Sequence, residues 1–143
     1  MVQIRFSKDP GIDTPKKAHP TDAGFDLPSA EDFVLDPGER RIVDTGIRLE
    51  TPVGYFAMIT PRSGWAAKYG ITIVNAPGVI DSHYRGNIKI IMLNTGGLSV
   101  KFVKNDRIAQ LIFMGHLADA TLDDVETLDD TNRGTGGLGS TGR

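Results

Sequence analysis

The run from Arg107 to Met114, R-I-A-Q-L-I-F-M, constrains this chain most. Its length and its Ile, Leu and Phe content predict a β-strand, yet it is apolar at odd and even positions alike. Successive side chains of a strand point to opposite faces, so both faces of this one need cover. An antiparallel strand of that kind requires a second layer or another chain, and in a chain of 143 residues another chain is the favoured reading. Gln110, its one polar interior member, needs a partner in the structure or in a ligand, because an unpaired buried amide costs about 1–3 kcal/mol.

Short pieces supply the other layers. Val2, Ile4 and Phe6 alternate with Gln3 and Arg5 as an edge strand, and Ser7 to Thr21, with Pro10, Pro15 and Pro20, is loop. Phe25 to Leu27 is extended between Gly24 and Pro28. Arg40 to Glu50, broken at Gly46, is two short strands or one with a bulge. Tyr55 to Thr60, Asn87 to Asn94 and Val100 to Val103 are further strands. Ser63 to Tyr69 is the one helical segment, following Pro61 and stopping at Gly70. With 17 Gly and 8 Pro marking turns between them, such strands predict an all-β fold, a β-sandwich or jelly roll, in a single domain. Residues 1–116 form its β core and residues 117–132 an acidic spacer anchored by Val125 and Leu128. Residues 133–143 form a flexible glycine-rich tail.

Composition removes several chemistries. The absence of Cys excludes disulfides, thiolate metal sites and a cysteine nucleophile, and His19, His83 and His116 are too scattered for a metal cluster. A net charge of -2 gives no basis for nucleic-acid binding. Met1 to Phe6 alternates, carries Arg5 and leads into no apolar region, and no run is long enough for a membrane. A cytoplasmic location is expected.

The stretch Asn75 to Ile90, N-A-P-G-V-I-D-S-H-Y-R-G-N-I-K-I, predicts two strands joined by a turn that fixes Asp81 and Tyr84 relative to each other. Asp81 follows Val79 and Ile80, a setting that predicts partial desolvation, although an Asp near a turn is common for its own backbone bonding and alone means little. In P-R-S-G, Pro61 to Gly64, a strand meets a helix start, where Arg62, the Ser63 hydroxyl and the Gly64 N–H suit phosphate. The same residues could equally be a capped turn, with Ser63 as N-cap and Arg62 solvated. D-A-G-F-D-L, Asp22 to Leu27, taken alone is turn chemistry. The tail R-G-T-G-G-L-G-S-T-G could clamp an anion with backbone N–H groups and Arg133.

These segments together, D-A-G-F-D-L, P-R-S-G-W-A-A-K-Y-G-I, N-A-P-G-V-I-D-S-H-Y-R-G, D-R-I-A-Q-L-I-F and R-G-T-G-G-L-G-S-T-G, resemble the ordered motifs of the trimeric dUTPases from Asp22 to the C-terminus. The resemblance implies a jelly-roll homotrimer, a distorted β-barrel with one short helix, its C-terminal tail exchanged between subunits and its sites shared among three chains. It implies hydrolysis of dUTP to dUMP and pyrophosphate with Mg²⁺, by water attack at the α-phosphate, keeping uracil out of DNA and supplying dUMP for dTTP. Asp81 matches the family's general base. Arg62, Ser63, Gly64 and Gln110 match phosphate-binding positions, and Arg133 joins them as the tail closes. Asn75 and the backbone of Gly78, Val79 and Ile80 would read uracil. Tyr84 would pack on the deoxyribose and reject a 2′-hydroxyl, and Lys89 aligns with a position lining the nucleotide site. Asp26 would touch the waters of Mg²⁺ rather than the metal.

Three positions depart from the pattern. Leu138, before Gly139, stands where the tail usually carries an aromatic that stacks on uracil, a contact worth about 1–3 kcal/mol. His83 stands where many members have an acid, and Trp65 replaces a commoner aliphatic in a packing role. Two other readings remain: the sibling activity dCTP deaminase, disfavoured by the full tail and by Asp81 and Tyr84, and a dUTP-sensing regulatory trimer.

Overall fold

The computed structural model describes residues 2–137. In chain order its elements are β1 (Arg5–Lys8), β2 (Gly24–Pro28), β3 (Phe33–Leu35), β4 (Arg40–Asp44), β5 (Ile47–Glu50), β6 (Tyr55–Pro61), α1 (Ser63–Tyr69), β7 (Ile71–Ile73), β8 (Gly78–Ile80), β9 (Lys89–Asn94), β10 (Val100–Phe102) and β11 (Arg107–Gly115). The strands pair antiparallel in a four-stranded sheet ordered β2-β11-β6-β8, a three-stranded sheet ordered β4-β9-β7, and the two ribbons β1-β5 and β10-β3. Almost wholly β with one short helix, this is the jelly-roll class that the turn spacing predicts.

Strand alternation builds the core. On β9, Ile90, Met92 and Asn94 are buried while Lys89 is exposed. Ile90 and Met92 pack with Val43, Ile47, Ile71 and Ile73. Phe33 and Phe102 stack at 4.7 Å and join the two-stranded ribbon to the same core. The buried Asn94 amide is satisfied: Nδ2 donates to the Leu35 and Leu98 carbonyls, and Oδ1 accepts the Gly96 N–H. Arg40 to Glu50 resolves into two strands because Gly46 sits at φ 65°, where a Cβ would also lie 2.9 Å from Ile12 Cγ1. β3 escapes the sequence reading, since an apolar pair flanking one exposed Val is too short to show a period.

The stretch Asn75 to Ile90 differs from the simple pair of strands expected. β7 and β9 do pair, but β8 leaves them and lies along β6 in the other sheet. The excursion therefore ties two sheets together. At its start Gly78 is buried opposite Ile59, where an added Cβ would meet the Ile59 Cβ at 3.4 Å.

β11 receives its cover in two ways. Ala109, Leu111 and Phe113 belong to or pack on the protein's own core, and Leu111 and Phe113 line an apolar groove with Ile4, Phe6, Phe25 and Tyr55. Ile112 is half-buried and Met114 exposed, so part of the other row stays open. Beyond β11 the spacer holds no strand or helix through residue 137. Val125 and Leu128 do not anchor it: they are 55 % and 86 % exposed, because no described part of the protomer reaches over them.

Candidate active site

Three strands bring the first group of residues together. In the β2-β11-β6 register, Gln110 stands opposite Asp26 on one side and Thr60 on the other. Directly opposed residues share a face, so this row lies beside the end of β6, where Arg62 leads into α1. Asp26, Arg62 and Gln110 line a cleft of about 300 Å³ together with Asp22 and Gly24. The Gln110 amide lies against Gly24, where a Cβ would meet Cδ at 3.4 Å.

Asp26 is buried and lies between two guanidiniums. Arg62 Nε is 3.0 Å from Oδ1, and Arg107 Nη1 donates to Oδ2 at 3.1 Å. The Arg62 Nε contact is electrostatic rather than a directed hydrogen bond, since that N–H has no aligned acceptor. Arg62 Nη1 and Trp65 Nε1 both donate to the Arg107 carbonyl, at 3.0 and 2.9 Å. Trp65 also packs on Phe102 and Tyr69, the packing role expected of it. Arg62 is thus not solvated, and Ser63 is not the N-cap. Arg62 occupies the cap position with no side-chain hydrogen bond, and Ser63 and Gly64 open the helix exposed. Asp22 is turn chemistry, its carboxylate accepting the His19 N–H.

The second group sits on the β8 excursion. Tyr84 N–H donates to the Asp81 carbonyl at 3.1 Å, closing the turn that holds these two residues together. Arg85 Nη1 donates to the Ser82 and Tyr84 carbonyls and stiffens it further. Asp81 is exposed and Val79 is 58 % exposed, so the desolvation expected of Asp81 is not present within the protomer. Those neighbours cannot bury it because β8 is an edge strand. Asn75 is exposed, with its Nδ2 folded toward Gly78. Lys89 begins β9 opposite Asp44 with an exposed side chain.

The two groups are far apart in one protomer. Ile80 pairs with Ala57, so Asp81 lies level with Phe56, at the opposite end of β6 from Arg62. Six residues of strand separate those levels, or about 20 Å. A triphosphate cannot bridge that distance while its α-phosphorus lies beside Asp81. The third group, the tail, folds on itself: Arg133 Nε donates to the Gly136 carbonyl at 3.0 Å. Leu138 and Gly139 lie outside the described residues.

Among the described residues no three acids or histidines converge to hold a metal. Asp26 keeps a lone pair on each oxygen beyond its arginine contacts, which suits accepting a hydrogen bond from a metal-bound water. The donor set therefore fits a cation carried on a ligand's phosphates and not one caged by protein. Arg107 is the member that sequence reasoning missed. Its signal was present in D-R-I-A-Q, where a cation opens an apolar strand three residues before Gln110.

Comparison with known proteins bears on this arrangement. A profile of the dUTPase family matches residues 11–142. The deoxyuridine 5′-triphosphate nucleotidohydrolase of Thermobifida fusca is 53 % identical over 142 residues, covering 99 % of this chain and 78 % of that protein. The dUTPase of Staphylococcus bacteriophage 80alpha, solved with dUPNHPP, superposes with a TM-score of 0.92 at 28 % identity over the whole of both chains. A mutant dUTPase of S. aureus phage phi11, whose structure details the coordination of a structural Mg(II) ion, gives a TM-score of 0.80 at 26 % identity, covering 88 % of this chain and 98 % of that one.

Proposed function

The chain belongs to the dUTPase family, and from that premise we propose how its residues divide the hydrolysis of dUTP to dUMP and pyrophosphate. Water attacks the α-phosphorus in line with the bridging oxygen to the β-phosphate. Asp81 orients that water and takes its proton as the new P–O bond forms, and the bond to the bridging oxygen breaks to release pyrophosphate. Arg62, Ser63, Gly64 and Gln110 hold the phosphates, with Asp26 fixing Arg62 from behind. Asp26 is the residue that would accept a hydrogen bond from a water of Mg²⁺ carried on the triphosphate, and the ion would there offset the charge that builds as pyrophosphate leaves. Arg107, 59 % exposed beside Asp26, adds a second cation on the same side.

Tyr84 packs on the deoxyribose and leaves no room for a 2′-hydroxyl. Asn75 and the backbone of Gly78, Val79 and Ile80 read the uracil edge, rejecting cytosine by mismatched donors and acceptors and thymine by shape. Lys89 lines the nucleotide site. The tail closes over it with Arg133 on the terminal phosphate and Leu138 and Gly139 over the base.

One observation carries the site's architecture: Asp81 and Arg62 lie at opposite ends of β6. The base of one protomer then serves phosphates held by another, in a homotrimer with a third chain's tail as cover. The same assembly covers the open row of β11 and the apolar side chains of the spacer, and it desolvates Asp81. Mixing Asp81→Asn with Arg62→Ala protomers after separate purification tests this. Each is inactive alone, and random exchange restores about one site in four. No recovery on mixing would place both groups in one chain's site and defeat the proposal.

A cytoplasmic enzyme that keeps uracil out of DNA and supplies dUMP follows from this reading. No helix among the described residues is long and apolar enough to cross a membrane. The family match speaks for the hydrolase over the sibling dCTP deaminase. A dUTP-sensing role is compatible with catalysis, since the 80alpha neighbour is described as one of the phage dUTPases that control transfer of virulence genes.

A further inference from the structure

Tyr84 is held from behind by Asn87, three residues further along the loop that joins β8 to β9. Its hydroxyl donates to the Asn87 carbonyl at 2.9 Å. Its ring lies against Gly86, where a Cβ would come 2.4 Å from the hydroxyl oxygen and 2.7 Å from Cζ. Asn87 in turn is fixed by Asp44 at the end of β4: Asn87 Nδ2 stands 3.0 Å from both carboxylate oxygens. Asp44 is itself oriented by the Gly46 N–H, which donates to Oδ1 at 2.7 Å. A three-link brace thus runs from the β4–β5 turn to the free face of the tyrosine, which is 44 % exposed.

The brace is not needed to join the two chain segments. Thr45 N–H and Oγ1 both donate to the Ile88 carbonyl, and Ile88 N–H donates to Ile47, all at the buried neighbour. Those bonds fix Ile88. The Asn87 carbonyl shares its planar peptide unit with the Ile88 N–H, so the bond to Ile47 holds the seat of the tyrosine from one side, and the Asp44–Asn87 link restrains the same residue through its side chain.

We infer that Asp44 and Asn87 are positioning residues that press the Tyr84 ring against the sugar and thereby set the discrimination between deoxyribose and ribose. The inference rests on the reading of Tyr84 as the sugar platform. Excluding one hydroxyl by contact demands a ring that cannot retreat, and a displacement of about 1 Å in a positioning group can cost a hundredfold. Released from Asp44, the Asn87 peptide keeps only the Ile88 N–H bond to Ile47, the carbonyl that accepts from the hydroxyl gains play, and the ring has room to back away.

The experiment compares kcat/KM for dUTP and UTP by pyrophosphate release. Asn87→Ala is expected to lower the dUTP:UTP ratio by about tenfold, and Tyr84→Phe, which keeps the ring and removes the bond, to move it the same way. The swap Asp44→Asn with Asn87→Asp rebuilds the link with donor and acceptor reversed and is expected to restore the ratio, while Asn87→Asp alone is not. A purely structural role would lower both substrates together and leave the ratio alone. If Tyr84→Ala collapses the ratio while Asn87→Ala and Tyr84→Phe leave it at the parent value, the brace is refuted and the platform stands. If Tyr84→Ala itself leaves the ratio unchanged, the platform falls and the brace with it. Should Asn87→Ala not fold, Asn87→Ser carries the same expectation.

Discussion

Replacing Asp26 with Asn keeps the shape of the residue that organises the phosphate side and removes its charge. The Asp26 side chain is 9 % exposed, and Arg62 beside it 25 %. Arg62 Nε has no aligned hydrogen-bond acceptor, so the carboxylate at 3.0 Å is its compensation for leaving water. Breaking a buried pair by removing one partner costs about 3–5 kcal/mol, and an amide oxygen that still accepts weakly brings this to about 2–3. Arg107 is 59 % exposed and relaxes into solvent, adding no more than about 0.5 kcal/mol. The sum is about 3 kcal/mol, or roughly a 10 °C fall in Tm for a chain this long. Calorimetry or circular dichroism measures it on the assembled protein. The same change frees Arg62 to swing from its place, so KM for dUTP is expected to rise along with the loss of Tm. A variant within about 2 °C of the parent and with the parent KM would mean that the Asp26–Arg62 contact neither stabilises the fold nor positions the guanidinium.

Asp81→Asn is expected to lower kcat by about a hundredfold or more while dUTP binding by titration calorimetry is retained, as the side chain is exposed and makes no ion pair among the described residues. Gly64→Ala places a methyl where nothing lies within 4 Å, so thermal stability should hold or rise by about 0.5 kcal/mol while KM climbs, because the space is kept for phosphate. Gly96→Ala would drive a Cβ to 2.2 Å from the Tyr69 carbonyl oxygen, and the denaturant midpoint should fall by the equivalent of about 3 kcal/mol.

Local chemistry made α1 legible. Proline before it, Ala66 and Ala67 within it and Gly70 after it are all features of neighbouring residues, and Gly70 does take a left-handed φ of 70° and donate to the carbonyls of Ala66 and Trp65. β11 was legible for the same reason, since its apolar run is continuous in sequence. β8 was harder. Three residues, Gly78 to Ile80, are too few for their pattern to say which of two sheets they join, and the pairing with Ala57 to Ile59 is a contact made across about twenty positions of sequence. The Asp26 cluster was illegible in another way. Its members are separated by 36 and 45 positions in sequence, and a charge does not declare its partner. Asp81 and Tyr84 were singled out by motif, yet their exposure was not, because burial depends on what the rest of the assembly brings.

That exposure and the length of β6 have a common physical origin. A jelly roll fills its interior with the inward rows of its strands, so reactive groups are displaced to strand ends and edges. Here the Arg62 end of β6 and the Asp81 end face opposite ways along one strand, and the rigidity that fixes each group also prevents their meeting. A flexible loop could close about 20 Å only by giving up the orientation that in-line attack requires. On the proposed homotrimer, symmetry solves the same problem without that loss, because a second copy placed head to tail would set its own Asp81 against the first copy's Arg62 with both still braced. Such a shared site would have no partial form: a dissociated protomer is expected to keep every group's local geometry and to lose hydrolysis altogether. Activity should therefore fall with dilution through the assembly's dissociation range, while Tyr84, held by Asn87 within its own chain, keeps its place.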